Sequence, residues 1–243
     1  MSEQVDHILV ARQLSFGFNK PLTDPFDLKI GRGKLIALTG RNGSGKSTFI
    51  RTLLGLIPSL SGELRLSGKL LASLDPQSRA QLCSAVFTGN ANIPALKVQT
   101  LVEMGRHPYL TRMGKLSEGD RRHVTEALEM LGLATFIDRY VGELSDGERQ
   151  RVMLARVLAQ DTPLVFMDEP LAFLDFESKK EILGIFRKLV DDTGKTIIYS
   201  THELHMVPLY SDEILVINKG KVLHTHGEEA NLKEALALHF GLE

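Results

Sequence analysis

The nine residues Gly40-Arg41-Asn42-Gly43-Ser44-Gly45-Lys46-Ser47-Thr48 constrain this chain more than any others. They match the pattern G-x-x-x-x-G-K-S, with the short apolar run Leu35-Ile36-Ala37-Leu38 before them and a helical pattern from Lys46 to about Leu56 after them. An apolar run without alternation suits a strand buried on both faces, so the loop joins a buried strand to a helix N-terminus. Gly40, Gly43 and Gly45 let the backbone curl until successive N–H groups point inward, and the helix start adds a partial positive charge. This reads as a phosphate cradle in which Lys46 reaches the β- and γ-phosphates and Ser47 ligates Mg²⁺. The plain alternative, a glycine-rich turn with a surface lysine, leaves the strand before and the helix after unexplained.

The rest of the chain supplies a sheet for that loop. Leu164 to Met167 and Thr196 to Tyr199 are further buried runs, separated by a helical pattern around Glu177 to Val190 that stops near Gly194. Ile8 to Val10, Leu14 to Phe18 and Phe26 to Ile30 read as strands cut by Gly17, Pro21 and Pro25. Ser67-Gly68 and Lys219-Gly220 mark two hairpins. From about Leu101 to Gln160 the pattern is helical, with apolar faces at Val124, Leu128, Leu131 and Leu133 and at Val152, Leu154, Ala155, Leu158 and Ala159. Asn231 with Glu234 three residues on reads as a helix start. Buried strands alternating with helices predict an α/β fold with a mainly parallel sheet. The expected organisation is a core over about residues 1–87 and 161–243, split by a helical subdomain over about 88–160.

Two more segments carry chemistry. Leu164-Val165-Phe166-Met167-Asp168-Glu169-Pro170 ends a buried strand in two carboxylates, and ligands bind at the carboxyl ends of strands in such sheets. Asp168 is expected to hold Mg²⁺, and Glu169 to polarise the water that attacks the γ-phosphate. Alone, two solvated acids before a proline turn would serve equally well as a reading; beside the phosphate loop they do not. Leu144-Ser145-Asp146-Gly147-Glu148 contains Ser145-x-x-Glu148, a capping box that opens a helix. A capped helix start with a glycine is also an anion site, and the residues alone do not choose between the two.

Composition narrows the classes further. Of 243 residues, 29 are Lys or Arg and 30 are Asp or Glu, for a net charge of −1, so general nucleic-acid binding is disfavoured. The one cysteine, Cys83, cannot form an internal disulfide, which fits a reducing compartment, and is read as a small buried hydrophobe. The longest uncharged stretch, Ala80 to Leu96, carries Gln81, Asn90, Asn92 and Pro94 and is no membrane span. The opening residues include Glu3 and Asp6 and lack a basic region followed by an apolar run, so no secretory signal is expected.

In order, the phosphate loop, the Leu-Ser-x-Gly-Glu segment, the run ending Asp168-Glu169-Pro170, Leu174-Asp175, and Ser200-Thr201-His202-Glu203 resemble the nucleotide-binding subunit of an ATP-binding-cassette (ABC) transporter over essentially the whole chain. Gly105-Arg106-His107-Pro108-Tyr109 is similar to the import ATPases for iron-siderophore, haem and cobalamin uptake. The resemblance implies a P-loop ATPase cassette with an antiparallel β subdomain and an inserted helical subdomain. It implies that Phe18, helped by Phe16, stacks on adenine, with a core role as the rival reading for Phe16. It makes Lys46, Glu169 and His202 catalytic, with His202 contacting the γ-phosphate and keeping Glu169 and the water in place. Arg41, Asn42, Ser44 and Thr48 join the nucleotide site. Ser145, Gly147 and Glu148 face ATP held by the other subunit of a homodimer formed on ATP binding, and Asp175 communicates across that dimer. Partners are a membrane permease and, indirectly, a substrate-binding protein, with no nucleic acid. The location implied is the cytoplasmic side of the cell membrane, and the cofactors are ATP and Mg²⁺. Rival readings are an ABC ATPase for another transport substrate and a soluble ABC ATPase without a transport role.

Two positions depart from the family pattern. Thr88 stands where the family has a glutamine ending the strand before the helical insertion, and its hydroxyl reaches less far toward Mg²⁺. Asp146 stands where glycine is common, and a carboxylate there repels a triphosphate unless it points into solvent. His202-Glu203-Leu204-His205 lacks the spacing of a zinc protease helix. His224 and His226 share a strand face, where a weak metal pair is the rival to the preferred reading of a solvated face, and the charge clusters Arg121-Arg122 and Lys179-Lys180-Glu181 read as solvated helix faces.

Overall fold

The computed structural model describes residues 7–87, 94–111 and 114–240. In chain order its strands are β1 (His7–Ser15), β2 (Phe26–Gly31), β3 (Leu35–Gly40), β4 (Ser61–Leu66), β5 (Lys69–Leu70), β6 (Cys83–Val86), β7 (Leu164–Met167), β8 (Thr196–Ser200), β9 (Glu213–Asn218) and β10 (Lys221–His226). Its helices are α1 (Lys46–Leu53), α2 (Pro76–Leu82), α3 (Val98–Glu103), α4 (Glu118–Met130), α5 (Asp146–Ala159), α6 (Phe176–Thr193), α7 (Val207–Tyr210) and α8 (Glu229–Phe240).

Every residue of β3, β7 and β8 is buried, and these strands lie inside a sheet of order β10-β9-β3-β8-β7-β6. All its pairings are parallel except β9 with β10. The unbroken apolar runs follow from packing on both faces. Ala37, Val165, Ile197 and Tyr199 point into one core shared with α5 and α6, while Ile36, Leu38, Phe166 and Ile198 point into another with Phe49, Ile50 and Leu53 of α1. The second core is closed by an antiparallel sheet of order β2-β1-β4-β5. Both hairpins form where their turn residues predict, with positive φ at Ser67 and Gly68 and at Lys219 and Gly220, as two-residue turns of the twist-matched kind require.

Four local expectations differ from the structure. Ile8 to Val10 and Leu14 belong to one strand, because an irregularity around Gln13, whose φ is 46°, lets β1 continue past the polar pair Arg12-Gln13. The final helix starts at Glu229, so Asn231 lies inside its first turn; its N–H donates to the Glu228 carbonyl at 3.0 Å. His224 is not merely solvated: its Nε2 lies 2.8 Å from Glu213 Oε2, reached diagonally across the β9–β10 pair. Nor is the 179–181 cluster free in solvent, since Lys179 pairs with Glu203 and Glu181 with Arg151. Cys83 is buried, as read from the sequence, and burial pushes its thiol up to about 12.

The described residues between β6 and β7 are mainly helical, with α3, α4 and α5. The Gly105–Tyr109 segment forms a 3₁₀ turn, Met104–Tyr109, that faces inward at its centre. Gly105 is required there, since a Cβ would sit 2.2 Å from the Arg156 carbonyl oxygen of α5. No described helix is long and apolar enough to cross a membrane.

Candidate nucleotide-hydrolysis site

Neighbouring strands β3, β8 and β7 deliver the three chemical segments to one edge of the sheet. At the end of β3, Gly45 caps α1 with φ 99°. A Cβ there would press on Leu22 Cδ1 at 2.9 Å and Phe16 Cε2 at 3.2 Å, so the loop lies directly on those side chains. Lys46 is buried, and its Nζ donates to the Gly40 carbonyl at 3.0 Å. Burial lowers its pKa, and the negative charges of Glu169 and Asp168 offset part of that shift. Ser44 Oγ is buried with no hydrogen-bond partner among the described residues. An orphaned hydroxyl, a buried ammonium group and the N-terminus of α1 in one loop make a donor set suited to phosphate oxygens. Arg41, Asn42 and Gly43 are exposed, and Ser47 and Thr48 are half-buried on the first turn of α1.

The two phenylalanines separate. Phe16 is fully buried, packed against Phe26 and Phe49 with centroids 6.2 and 5.3 Å away, and has no face to offer a base. Its core role therefore replaces the stacking role. Phe18 is 64% exposed on the short loop that the Gly17–Pro21 bridge closes.

Asp168 is buried just past β7, and its backbone N–H donates to the Val86 carbonyl at the end of β6. Glu169 has φ 50°, a left-handed conformation that costs a non-glycine residue on the order of 1 kcal/mol or more. Ser200, the last residue of β8, holds it there. Ser200 Oγ accepts the Glu169 N–H at 2.8 Å and donates to Asp168 Oδ1 at 2.7 Å. Two residues on, His202 Nε2 lies 3.0 Å from Glu169 Oε1. One hydroxyl thus holds both the Asp168 carboxylate and the Glu169 backbone, and the strained turn aims the Glu169 carboxylate at an exposed imidazole. Within Ser200-Thr201-His202-Glu203 the sequence alone gives Ser200 no role. The signal is the register, Met167 opposite Tyr199, which brings the next residues of the two strands together.

A buried carboxylate, a second carboxylate touching histidine and a phosphate-binding loop at adjacent strand ends form a nucleotide-hydrolysing arrangement. Residues 23–172 match the family model described as ABC transporter. The chain belongs to the ABC transporter family. It is an ATP-binding cassette, and such cassettes bind and hydrolyse ATP. The petrobactin import ATP-binding protein YclP of Bacillus subtilis is 34% identical over 204 residues, covering 84% of this chain and 80% of that protein. The manganese transport system ATP-binding protein MntB of Listeria monocytogenes is 33% identical over 223 residues, covering 91% of each. Among solved structures, one described as an inward-facing metal-chelate type ABC transporter superposes with TM-score 0.80 at 26% identity, covering 98% of this chain and 90% of that one. The dimeric cassette MJ0796, in a post-hydrolysis state with ADP and Pi, gives TM-score 0.79 at 26% identity, covering 90% of this chain and 98% of that one.

The other candidate residues of this cassette sit at the starts of α5 and α6. Ser145 caps α5: its Oγ accepts the Glu148 N–H at 3.3 Å, and the Glu148 carboxylate accepts the Ser145 N–H at 2.7 Å. Hydrogen bonds donated by the Ser145 N–H and Oγ hold the Glu148 carboxyl below the usual range. Asp146 points outward, with a side chain 70% exposed and 3.5 Å from Arg149. Gly147 faces Leu174 and the Phe173 carbonyl. Asp175 caps α6, and the Ser178 N–H donated to it at 2.8 Å lowers its pKa. Among the described residues, no hydrogen bond joins Ser145, Gly147 or Asp175 to the loop at Lys46. Thr88 lies outside the described residues.

Proposed function

We propose that this cassette powers import of a metal chelate, an iron–siderophore complex, haem or cobalamin, through a separate membrane permease at the cytoplasmic face. The observation that carries the substrate class is the likeness to the petrobactin import protein, supported by the metal-chelate type transporter that superposes over nearly the whole chain. The likeness to the manganese protein supports a second reading, in which a manganese species is the cargo.

In the proposed mechanism the Gly40–Thr48 loop grips the triphosphate, and Lys46 neutralises its terminal oxygens. The donor set fits Mg²⁺: Ser47 and Asp168 would hold it, with Thr88 in reserve, and the ion supplies charge neutralisation at the β- and γ-phosphates when bound. Glu169 accepts a proton from the water that attacks the γ-phosphorus, and the bond to ADP breaks as the new P–O bond forms. His202 holds Glu169 in place and contacts the γ-phosphate. Phe18 stacks on adenine.

Ser145, Gly147 and Glu148 act on nucleotide bound to a second copy, and Asp175 lies at that junction. Their placement at the starts of α5 and α6 rather than in the phosphate loop, together with the dimeric cassette among the similar structures, supports this arrangement. ATP favours the paired state because its γ-phosphate makes contacts there that ADP lacks.

An affinity pull-down of the tagged chain from gently solubilised membranes tests the assignment. Recovery of a polytopic permease that transports iron chelates, haem or cobalamin is expected. A permease that transports only free manganese would select the second reading, and recovery of ribosomal or DNA-associated proteins alone would overturn both.

A further inference from the structure

We infer that Lys179 is a positioning residue for hydrolysis, acting with Glu203 to hold the loop that carries His202; the inference rests on the proposed roles of Glu169 and His202. His202 is exposed, and its hydrogen bond with Glu169 joins two groups that are each well exposed. Such a pair contributes little by itself and does not fix a loop. The loop between β8 and α7 is instead gripped at the residues that follow. The Glu203 N–H donates to Thr201 Oγ1 at 3.0 Å, and the Glu203 carboxylate pairs with Lys179 Nζ. Lys179 stands one turn into α6, whose first residue, Phe176, stacks on His205 with centroids 6.2 Å apart and planes 20° apart. Lys180 Nζ lies 4.3 Å over the same Phe176 ring. Lys179, Glu203, His202 and Glu169 line one cavity of about 240 Å³.

The first turn of α6 therefore clamps the His202 loop through the Lys179–Glu203 pair, with the exposed Phe176–His205 stack beside it. That turn follows Asp175 and is tied by a short loop to Glu169. Through Lys179 the two loops carrying Glu169 and His202 are fixed relative to each other by a contact that touches neither reacting group. The Lys179 and Glu203 side chains are only 21% and 30% exposed, so the pair is screened less than a surface pair. Displacement of a catalytic group by about 1 Å costs about a hundredfold in rate, and partial loosening costs less.

The test uses the purified full chain and steady-state ATP turnover, with Lys179→Met, Glu203→Gln, the double variant and Lys179→Arg. Each single neutralising variant is expected to lower kcat on the order of tenfold while KM for ATP changes less than about twofold. Lys179→Arg is expected to retain most of the rate, and the double variant to be no worse than the poorer single one, as partners in one interaction behave. Melting temperatures, measured in parallel, are expected to stay together. Wild-type kcat in both single variants, multiplying losses in the double variant, or losses that track melting temperature would each overturn the assignment. Glu169→Gln serves as the control. If it alone loses turnover, the clamp is wrong and the hydrolysis site stands; if it turns over normally, the hydrolysis-site reading itself fails.

Discussion

Arg106 is the buried charge whose removal has the most calculable consequence. Its side chain is 7% exposed and that of its partner Asp120 is 6% exposed, with Nε and Oδ1 2.8 Å apart. Its Nη1 also donates to the carbonyls of Ala159 at 2.9 Å and Gln160 at 3.1 Å, at the end of α5. The guanidinium lies 4.0 Å from the centroid of the Tyr109 ring. Arg106→Met keeps the aliphatic stem but leaves a buried carboxylate without its counter-charge, its Oδ1 without a donor, and two carbonyls without theirs. Breaking a buried pair from one side costs about 3–5 kcal/mol. For a chain of this size, about 2–4 °C of melting temperature is lost per kcal/mol, so the variant should melt roughly 6–20 °C lower. Arg106→Met combined with Asp120→Asn removes the stranded charge and should recover part of that loss. Burial raises the Asp120 pKa, but hydrogen bonds from Ser117 and Arg106 outweigh it and leave the carboxyl below its ordinary value. A lowered folded-state pKa means that this stabilisation is fully present above the unfolded carboxylate pKa of about 3.9 and is lost as pH falls through the folded value. The wild-type contribution should therefore be flat from pH 8 to about 4 and fall only below it. Scanning calorimetry at pH 7 is the assay. A drop of less than about 2 °C, or a double variant no more stable than Arg106→Met, would refute the reasoning.

Two further outcomes are expected. Lys46→Ala should lose the ATP-dependent rise in melting temperature that wild type shows; saturation at about 100 Kd contributes roughly 2.7 kcal/mol, or about 5–10 °C here. An unchanged rise in the variant would remove Lys46 from the nucleotide site. Cys83, buried with its thiol pushed up to about 12, should resist thiol reagents at pH 8 in the folded chain and react at the rate of unfolding. Fast stoichiometric labelling of native protein would show that β6 is open in solution.

What the sequence made legible is what has a local cause. The buried runs at Leu35, Leu164 and Thr196 are strands packed on both faces, and a strand, a glycine loop and a helix must follow one another at Lys46 for the loop to exist at all. Ser145-x-x-Glu148 declared its own cap, as Ser67-Gly68 declared its turn. Features that depend on pairing between distant segments were hidden. Ser200 acquires its role only once β7 and β8 are in register. Phe16 and Phe18 look alike in sequence, and their fates differ because β1 ends at Ser15 and the chain then turns at Gly17, leaving one ring beneath Gly45 and the other outside. Arg106 belonged to a segment resembling one group of import ATPases, yet its side chain points inward to Asp120, fourteen residues away. The positive φ of Glu169 has no local signal either; glycine or asparagine would have announced it.

The central claim, that Glu169 drives hydrolysis at a site completed by a second copy of the chain, is tested most directly with Glu169→Gln. Its mass in solution would be measured by light scattering after gel filtration, with and without Mg-ATP, beside its turnover. The account predicts a dimer that appears only with ATP and persists because turnover is lost. A variant that stays monomeric with ATP bound, or that hydrolyses ATP at the wild-type rate, would contradict it.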